Sequence, residues 1–207
     1  YFNPLIDVRK IWYSSSFEEN NFEIIDVNEN LDFSNVKNYW NLLEIDNFMN
    51  IDFWSIAKWF IADIISDYLK SQKILNFIVN MWWDIVVSGL NLELKPWKIA
   101  ITNPENIDDI LYLVELKNKS ISTSWIYKRN WQINGQNYHH IRNPFSLHQE
   151  TKLKSVTIVD VYWYKTDALA TAVIAMWYEK WLEFCKTNNI SFLFILDDLS
   201  IVKSDDL

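Results

Sequence analysis

The chain has 207 residues, a formal net charge of −8, one Cys, 2 Gly and 12 Trp. Half of its residues are hydrophobic, which excludes a disordered chain. The acidic balance argues against a nucleic-acid binder, which would carry a basic stripe. The lone Cys185 excludes an internal disulfide framework and lies in an apolar helical pattern as a core residue. Ordinary usage would give about 14 Gly at this length, so Gly is nearly missing while Trp is in excess.

Residues 1–50 are rich in Asn and Asp and read as turns, short strands and one short helix. Residues 54–70 place Ile56, Phe60, Ile64, Ile65, Tyr68 and Leu69 at a 3.6-residue period, which predicts a helix. Ile74–Val79 reads as a buried strand. Asp84–Val87 is its neighbour across a turn at Met81-Trp82-Trp83. Leu94–Ile101 reads as a strand ended by Asn103-Pro104. Strands at Leu111–Leu116, Ser120–Ser124 and Trp125–Ile133 follow, and Asn134-Gly135 predicts a hairpin back into Tyr138–Ile141. Val156–Val161 reads as a buried strand. A helix over Asp167–Lys186 follows, with Thr166 as its N-cap, and then a last strand at Phe192–Leu196. Long helices among hairpins make the class α+β, in a single domain over 1–207. The apolar stretches at 56–69 and 74–88 are broken by Lys58, Asp63, Asp67 and Asp84, too often for a membrane span.

The Trp residues fall in odd places. Trp82-Trp83-Asp84 occupies a turn where Gly-Gly-Asp is the natural sequence. Trp54 and Trp59 stand near a helix entrance, where Gly would let the main chain approach an anion. Trp177 and Trp181 flank Tyr178-Glu179-Lys180, at a spacing that by itself also suits an aromatic core stripe.

Several segments together resemble one family. Ile51-Asp52-Phe53-Trp54-Ser55-Ile56-Ala57-Lys58-Trp59-Phe60-Ile61-Ala62-Asp63 resembles the "IDxGGIAKGYAxD" signature of the FAD:protein FMN transferases, the ApbE family. Val79-Asn80-Met81-Trp82-Trp83-Asp84 is similar to its "VNxGGD". Ser155–Val159, Thr166–Ala172 and Met176–Trp181 are similar to "SVTV…ADALATA…MGxEKG". Ser122-Thr123-Ser124-Trp125-Ile126-Tyr127 resembles "ATSGxY", and Tyr138-His139-His140-Ile141 resembles "YxHIxDP". The matches keep the family order across nearly the whole chain. At Trp54, Trp59, Trp82, Trp83, Trp125, Trp177 and Trp181 the family has Gly. Trp12 and Trp163 are further candidates, Trp97 stands where the family also carries Trp, Trp131 is a further candidate for a genuine Trp, and Trp40 stays unassigned. This pattern is expected if UGA codons for glycine were read as tryptophan.

The resemblance implies an ApbE-like, T-fold-like domain that lacks the family's N-terminal part. It implies Mg²⁺-dependent transfer of FMN from FAD to a Thr or Ser hydroxyl of an acceptor protein, with release of AMP. By resemblance the metal ligands are Asp167, Thr171 and the Ala57 carbonyl. On a helix, positions 167 and 171 share a face. Read alone, Asp167 is also suited to a helix's first turn, where the dipole favours a carboxylate. By resemblance Phe2, Asn3, Lys58, Phe60, Ser124, His140 and Ile141 bind the flavin nucleotide. His140 is the candidate proton acceptor, since imidazole titrates near neutrality. His139 and His148 read as surface residues, and Asp84 as a residue that orders its turn. Asn143 replaces an Asp of the family pattern, which leaves a non-catalytic flavin-binding or acceptor-docking protein as the alternative. A Trp-rich carbohydrate-binding module, with exposed stacking platforms, is a remoter one. The resemblance places the protein at the cell envelope or the periplasmic side, anchored through its missing N-terminus.

Overall fold

A computed structural model describes residues 33–45, 54–126, 130–133, 136–139, 141, 152–176 and 178–207. The chain divides into two compact units, one of residues 1–53 and 129–150, the other of 54–128 and 151–207. In chain order the elements are a 3-10 turn at Phe33–Asn35, β1 (Lys37–Tyr39), β2 (Leu42–Glu44), α1 (Trp54–Ser71), β3 (Phe77–Asn80), β4 (Asp84–Ser88), β5 (Trp97–Thr102) and β6 (Ile110–Leu116). Then come β7 (Lys119–Trp125), β8 (Asn130–Ile133), β9 (Gln136–His139), β10 (Leu153–Asp160), α2 (Trp163–Ala175), α3 (Tyr178–Thr187), β11 (Ser191–Leu196) and β12 (Ile201–Lys203).

The described part of the first unit contains two antiparallel hairpins. In β1–β2, Lys37 lies opposite Glu44, and their side chains form an exposed ion pair at 3.3 Å. In β8–β9, Ile133 lies opposite Gln136. That register places the connection at Asn134-Gly135, as the dipeptide predicts, although the turn itself lies outside the described residues.

The second unit is built on an antiparallel six-stranded sheet in the order β12-β11-β10-β7-β4-β3. Its two faces differ in chemistry. Val87, Ile121, Val159, Leu193 and Ile195 line one face and pack with Ile99, Ile101, Val114 and Leu116 of the β5–β6 hairpin. Phe192 and Phe194 are buried on the other, where Trp181 of α3 meets Phe194 edge-on at 4.4 Å between ring centres. The same face carries Ser120, Ser122 and Ser124, every second residue of β7, and α2 lies over them. Small side chains allow this close approach of helix and strand.

Several sequence expectations are corrected in detail. The helix expected over Asp167–Lys186 is two helices. It starts earlier, at Trp163, because Asp160 Oδ1 accepts the Tyr162 N–H at 2.7 Å and turns the chain there. Thr166 is therefore not an N-cap. It sits inside α2, donates to the Trp163 carbonyl at 3.0 Å and accepts from Ser122 at 2.9 Å. The break follows Met176, whose extended backbone (ψ 161°) cannot continue the helix. Trp177, which the resemblance sets at a family Gly position, follows Met176 in the sequence and lies outside the described residues.

The strand expected at Ile74–Val79 begins only at Phe77. Ile74 N–H is held by the Leu69 carbonyl, 3.0 Å away, closing the end of α1. Likewise β5 begins at Trp97, not Leu94. Asn91 Oδ1 accepts from the N–H groups of Glu93 and Lys95 and holds Leu94 in a turn at φ 59°. The Trp125–Ile133 strand is interrupted, with β7 ending at Trp125 and β8 starting at Asn130. The return strand is Gln136–His139, not Tyr138–Ile141.

Gly89 shows where glycine is needed. Its φ is 62°, and a Cβ there would lie 2.7 Å from the Leu75 carbonyl oxygen and closer still to Asn76 Oδ1. That oxygen accepts the Leu90 N–H at 2.9 Å, so the turn after β4 closes tightly on the chain leaving α1.

Candidate functional site

Within the second unit, three elements bring ionisable side chains together. Lys58 comes from the second turn of α1. Four and eight residues on, Ala62 and Ser66 are buried, so Lys58 lies in line with the packed side of α1. Asp84 opens β4 and is 4% exposed. Asp167 lies in α2 and is 5% exposed. The Lys58 ammonium hydrogen-bonds Asp84 Oδ2 and lies 3.2 Å from Asp167 Oδ2.

Asp167 falls in the second turn of α2, and no acidic residue occupies the first. The helix dipole does not account for it, because that effect fades beyond the first turn. What holds Asp167 is the neighbouring lysine. One turn on, Thr171 Oγ1 lies 3.1 Å from the Ser124 hydroxyl of β7. Ser122 lies opposite Asp84 in the β4–β7 register and bonds Thr166. One buried polar surface therefore runs from Lys58 through Asp84 and Asp167 to Thr171 and Ser124.

Burial pushes the Asp84 carboxyl above the ordinary carboxylate range, and the adjacent Lys58 charge opposes that rise. For Lys58, burial favours the neutral amine, but Asp84 and Asp167 together outweigh it and hold the ammonium above its usual range. Two carboxylates against one ammonium leave one net negative charge. Asp84 Oδ1, moreover, is buried with no hydrogen-bond partner among the described residues. Excess negative charge, an orphaned carboxylate oxygen and a nearby hydroxyl suit a hard, oxygen-seeking divalent cation. No group of three or more His, Cys, Asp and Glu gathers among the described residues. The expected ligand set does not require one, since it comprises a carboxylate, a hydroxyl and a main-chain carbonyl.

The structure brings Lys58, Asp167, Thr171 and Ser124 together, with Ala57 one residue before Lys58 in α1. It places Phe60 elsewhere. Two residues beyond Lys58, on the other side of the helix, Phe60 is 69% exposed. Ile141 is buried and belongs to the other unit. Phe2, Asn3 and His140 lie outside the described residues. Sequence reasoning undervalued Asp84: its side chain reaches Lys58 rather than ordering its own turn. The available signal was an acidic residue at a β-turn exit, in register with a row of serines.

The turn before Asp84 is also informative. Trp82 and Trp83 form a two-residue connection in which the Met81 N–H donates to the Asp84 carbonyl at 2.8 Å. Trp82 has φ 73° and is 86% exposed. Positive φ at the first of two hairpin residues is a position that glycine dominates. Trp83 and Trp125 meet edge-on at 6.0 Å between ring centres. Trp97, by contrast, donates its indole N–H to the Ser88 carbonyl at 3.0 Å. Cys185 is fully buried, and burial pushes its thiol up to about 12.

The ApbE family model matches residues 4–194. An FAD:protein FMN transferase of Vibrio cholerae is 33% identical over 159 residues, covering 75% of this chain and 46% of the relative. Another, from Haemophilus influenzae, is 28% identical over 149 residues, covering 70% of this chain and 43% of the relative. The chain thus spans less than half the length of these relatives. Among solved structures, the flavin transferase ApbE from Vibrio cholerae superposes with a TM-score of 0.76 at 27% identity, covering 98% of this chain and 67% of that one. The ApbE protein from Thermotoga maritima has the same fold, with a TM-score of 0.81 at 22% identity, covering 100% of this chain and 70% of that one. With its motifs in family order, its α+β fold shared and the family model matching residues 4–194, this chain belongs to the ApbE family.

Proposed function

We propose that this chain is the part of an FAD:protein FMN transferase that holds the pyrophosphate of FAD and a Mg²⁺ ion. The observation that carries this reading is the buried polar surface of Lys58, Asp84, Asp167, Thr171 and Ser124, with its one uncompensated negative charge. Asp167, Thr171 and the Ala57 carbonyl are the groups that would hold the ion. A divalent cation held there would supply positive charge to offset that of the pyrophosphate. In the reaction, the acceptor's Thr or Ser oxygen bonds to the FMN phosphorus. The bond to the AMP phosphate breaks, and AMP leaves with the bridging oxygen. His140 is the sequence's candidate to take the hydroxyl proton. Lys58 contributes a fixed positive charge beside the nucleotide, and the flanking strand and helix keep Thr171 and Ser124 in place.

We further propose that most Trp residues in the family motifs stand for glycine, through UGA codons read as tryptophan. Trp82 supports this, because it holds a backbone conformation that disfavours a bulky side chain. UGG codons at Trp82 and Trp83 would sink the idea. In the literal sequence, indoles at positions 54, 59, 82, 83 and 125, where the resemblance implies Gly, are expected to obstruct close approach of the pyrophosphate to the main chain. A variant with Gly at these five positions is expected to bind FAD more tightly in a fluorescence titration, and equal affinity would refute the assignment.

The transferase reading is tested with that glycine-bearing chain, extended to the full-length protein. It is incubated with FAD, Mg²⁺ and an acceptor peptide carrying Thr. Covalent flavin fluorescence on the peptide, dependent on Mg²⁺, is expected. FAD binding without transfer would instead favour the non-catalytic alternative, to which Asn143 points.

A further inference from the structure

Asp84 has no role in the expected ligand set, yet it is one of the most deeply buried charges in the second unit. Lys58 has a choice of two carboxylates. It hydrogen-bonds Asp84 Oδ2 and also forms an ion pair with Asp167 Oδ2 at 3.2 Å, so its charge is shared between the two. A lysine given wholly to Asp167 would neutralise the carboxylate that a cation needs. A lysine held by Asp84 leaves Asp167 with charge to offer. Asp84 is fixed for this task by its place at the start of β4, directly opposite Ser122 in the central β7. Its second oxygen, Oδ1, is buried with no hydrogen-bond partner among the described residues, and two carboxylates against one ammonium leave the site one net negative charge.

We propose that Asp84 is a positioning residue that parks the Lys58 ammonium and so keeps Asp167 available to a divalent cation. This rests on the reading of Asp167 and Thr171 as cation ligands and adds a residue that acts through the lysine. Asp84 and Lys58 form a counter-ion pair beside the cation position. Loss of the acid releases the lysine onto Asp167, where it competes with the cation. Loss of the lysine removes the competitor.

The test measures Mn²⁺ binding by electron paramagnetic resonance on the full chain without FAD, with thermal melting to register folding. Asp84→Asn is expected to weaken Mn²⁺ binding by about 10- to 100-fold, the scale on which residues beyond the ligands act on metal affinity. Lys58→Gln is expected to tighten binding by about threefold or more, since a unit positive charge a few ångströms from the ligand is removed. The double variant Asp84→Asn/Lys58→Gln is expected to return to within about threefold of the parent, because little remains for the asparagine to displace. A double variant as weak as Asp84→Asn would overturn the proposal, making Asp84 a ligand or a structural support. So would an Asp84→Asn variant that binds like the parent. Should Asp84→Asn not fold, Lys58→Gln decides alone, and weaker Mn²⁺ binding by it counts against the proposal. A parent chain that takes up no Mn²⁺ would remove the cation reading itself, and this inference with it.

Discussion

The two faces of the six-stranded sheet are made from the same strands and do opposite work. Along β7, Ile121 points into the apolar layer under the β5–β6 hairpin, while its neighbours Ser120 and Ser122 meet the Thr166 hydroxyl of α2. Along β4, Val87 joins the apolar layer, and Asp84 starts the polar side. The alternation of a strand permits this, since successive side chains leave on opposite faces. The apolar face is shaped for burial and packs aliphatic side chains against the β5–β6 hairpin. The polar face carries buried hydroxyls and carboxylates whose desolvation is offset by one another, by main-chain carbonyls and by Lys58. Such groups are costly to bury without partners, so their concentration on one face marks the site more strongly than any single residue does.

Substitutions on the two faces should separate stability from binding. The largest loss of stability is expected for Leu193→Ala, on the apolar face. It should destabilise the chain by about 2–5 kcal/mol in urea unfolding, through lost burial and a residual cavity, with Mn²⁺ affinity of the folded fraction unchanged. Thr171→Val keeps the shape but removes a hydroxyl and leaves Ser124 without that partner. It should destabilise by about 1–3 kcal/mol and, unlike Leu193→Ala, weaken cation binding in a calorimetric titration. Ser122→Ala removes one donor to Thr166, which keeps its bond to the Trp163 carbonyl. About 0.5–1.5 kcal/mol is expected, and a loss above that range would show that Ser122 also supports Asp84.

The smallest effect concerns Cys185, away from the cation cluster. Its native thiol holds its proton up to about 12, against an ordinary 9.0. Between those values the unfolded state binds fewer protons than the native state, so stability falls as pH rises. The urea midpoint of the parent should therefore drop more steeply from pH 9 to pH 11 than that of Cys185→Ala. Equal slopes would mean that the thiol is not shielded.

Much of this contrast was legible in the sequence. The 3.6-residue pattern located α1, and short runs between turn signals located β3, β4 and β7. Asp167, Thr171, Lys58 and Ser124 were named from family motifs, and they lie on one surface. Less legible was what depends on pairing between distant strands. Nothing local in Asn80-Met81-Trp82-Trp83-Asp84 says that the Asp84 side chain turns to a lysine 26 residues earlier. The outward direction of Phe60, Ile64 and Tyr68 on α1 was also hidden, because the apolar period marks a face without saying what covers it. The split between α2 and α3 was missed because Trp177, standing at a family Gly position, carries no helix-breaking signal as Trp. The short β12 was missed because three residues carry no usable periodicity.

The central claim is that flavin transfer belongs to the polar face of the sheet. Its most direct test is the transfer assay on the glycine-bearing, full-length protein, comparing Asp167→Asn with Ile195→Val. Both changes are close in size to the parent residue, and they lie on opposite faces. The account predicts that Asp167→Asn lowers covalent flavin on the acceptor peptide by about 100-fold or more, while Ile195→Val leaves the rate per folded molecule unchanged. Transfer that survives Asp167→Asn, or that falls equally in both variants, would contradict it.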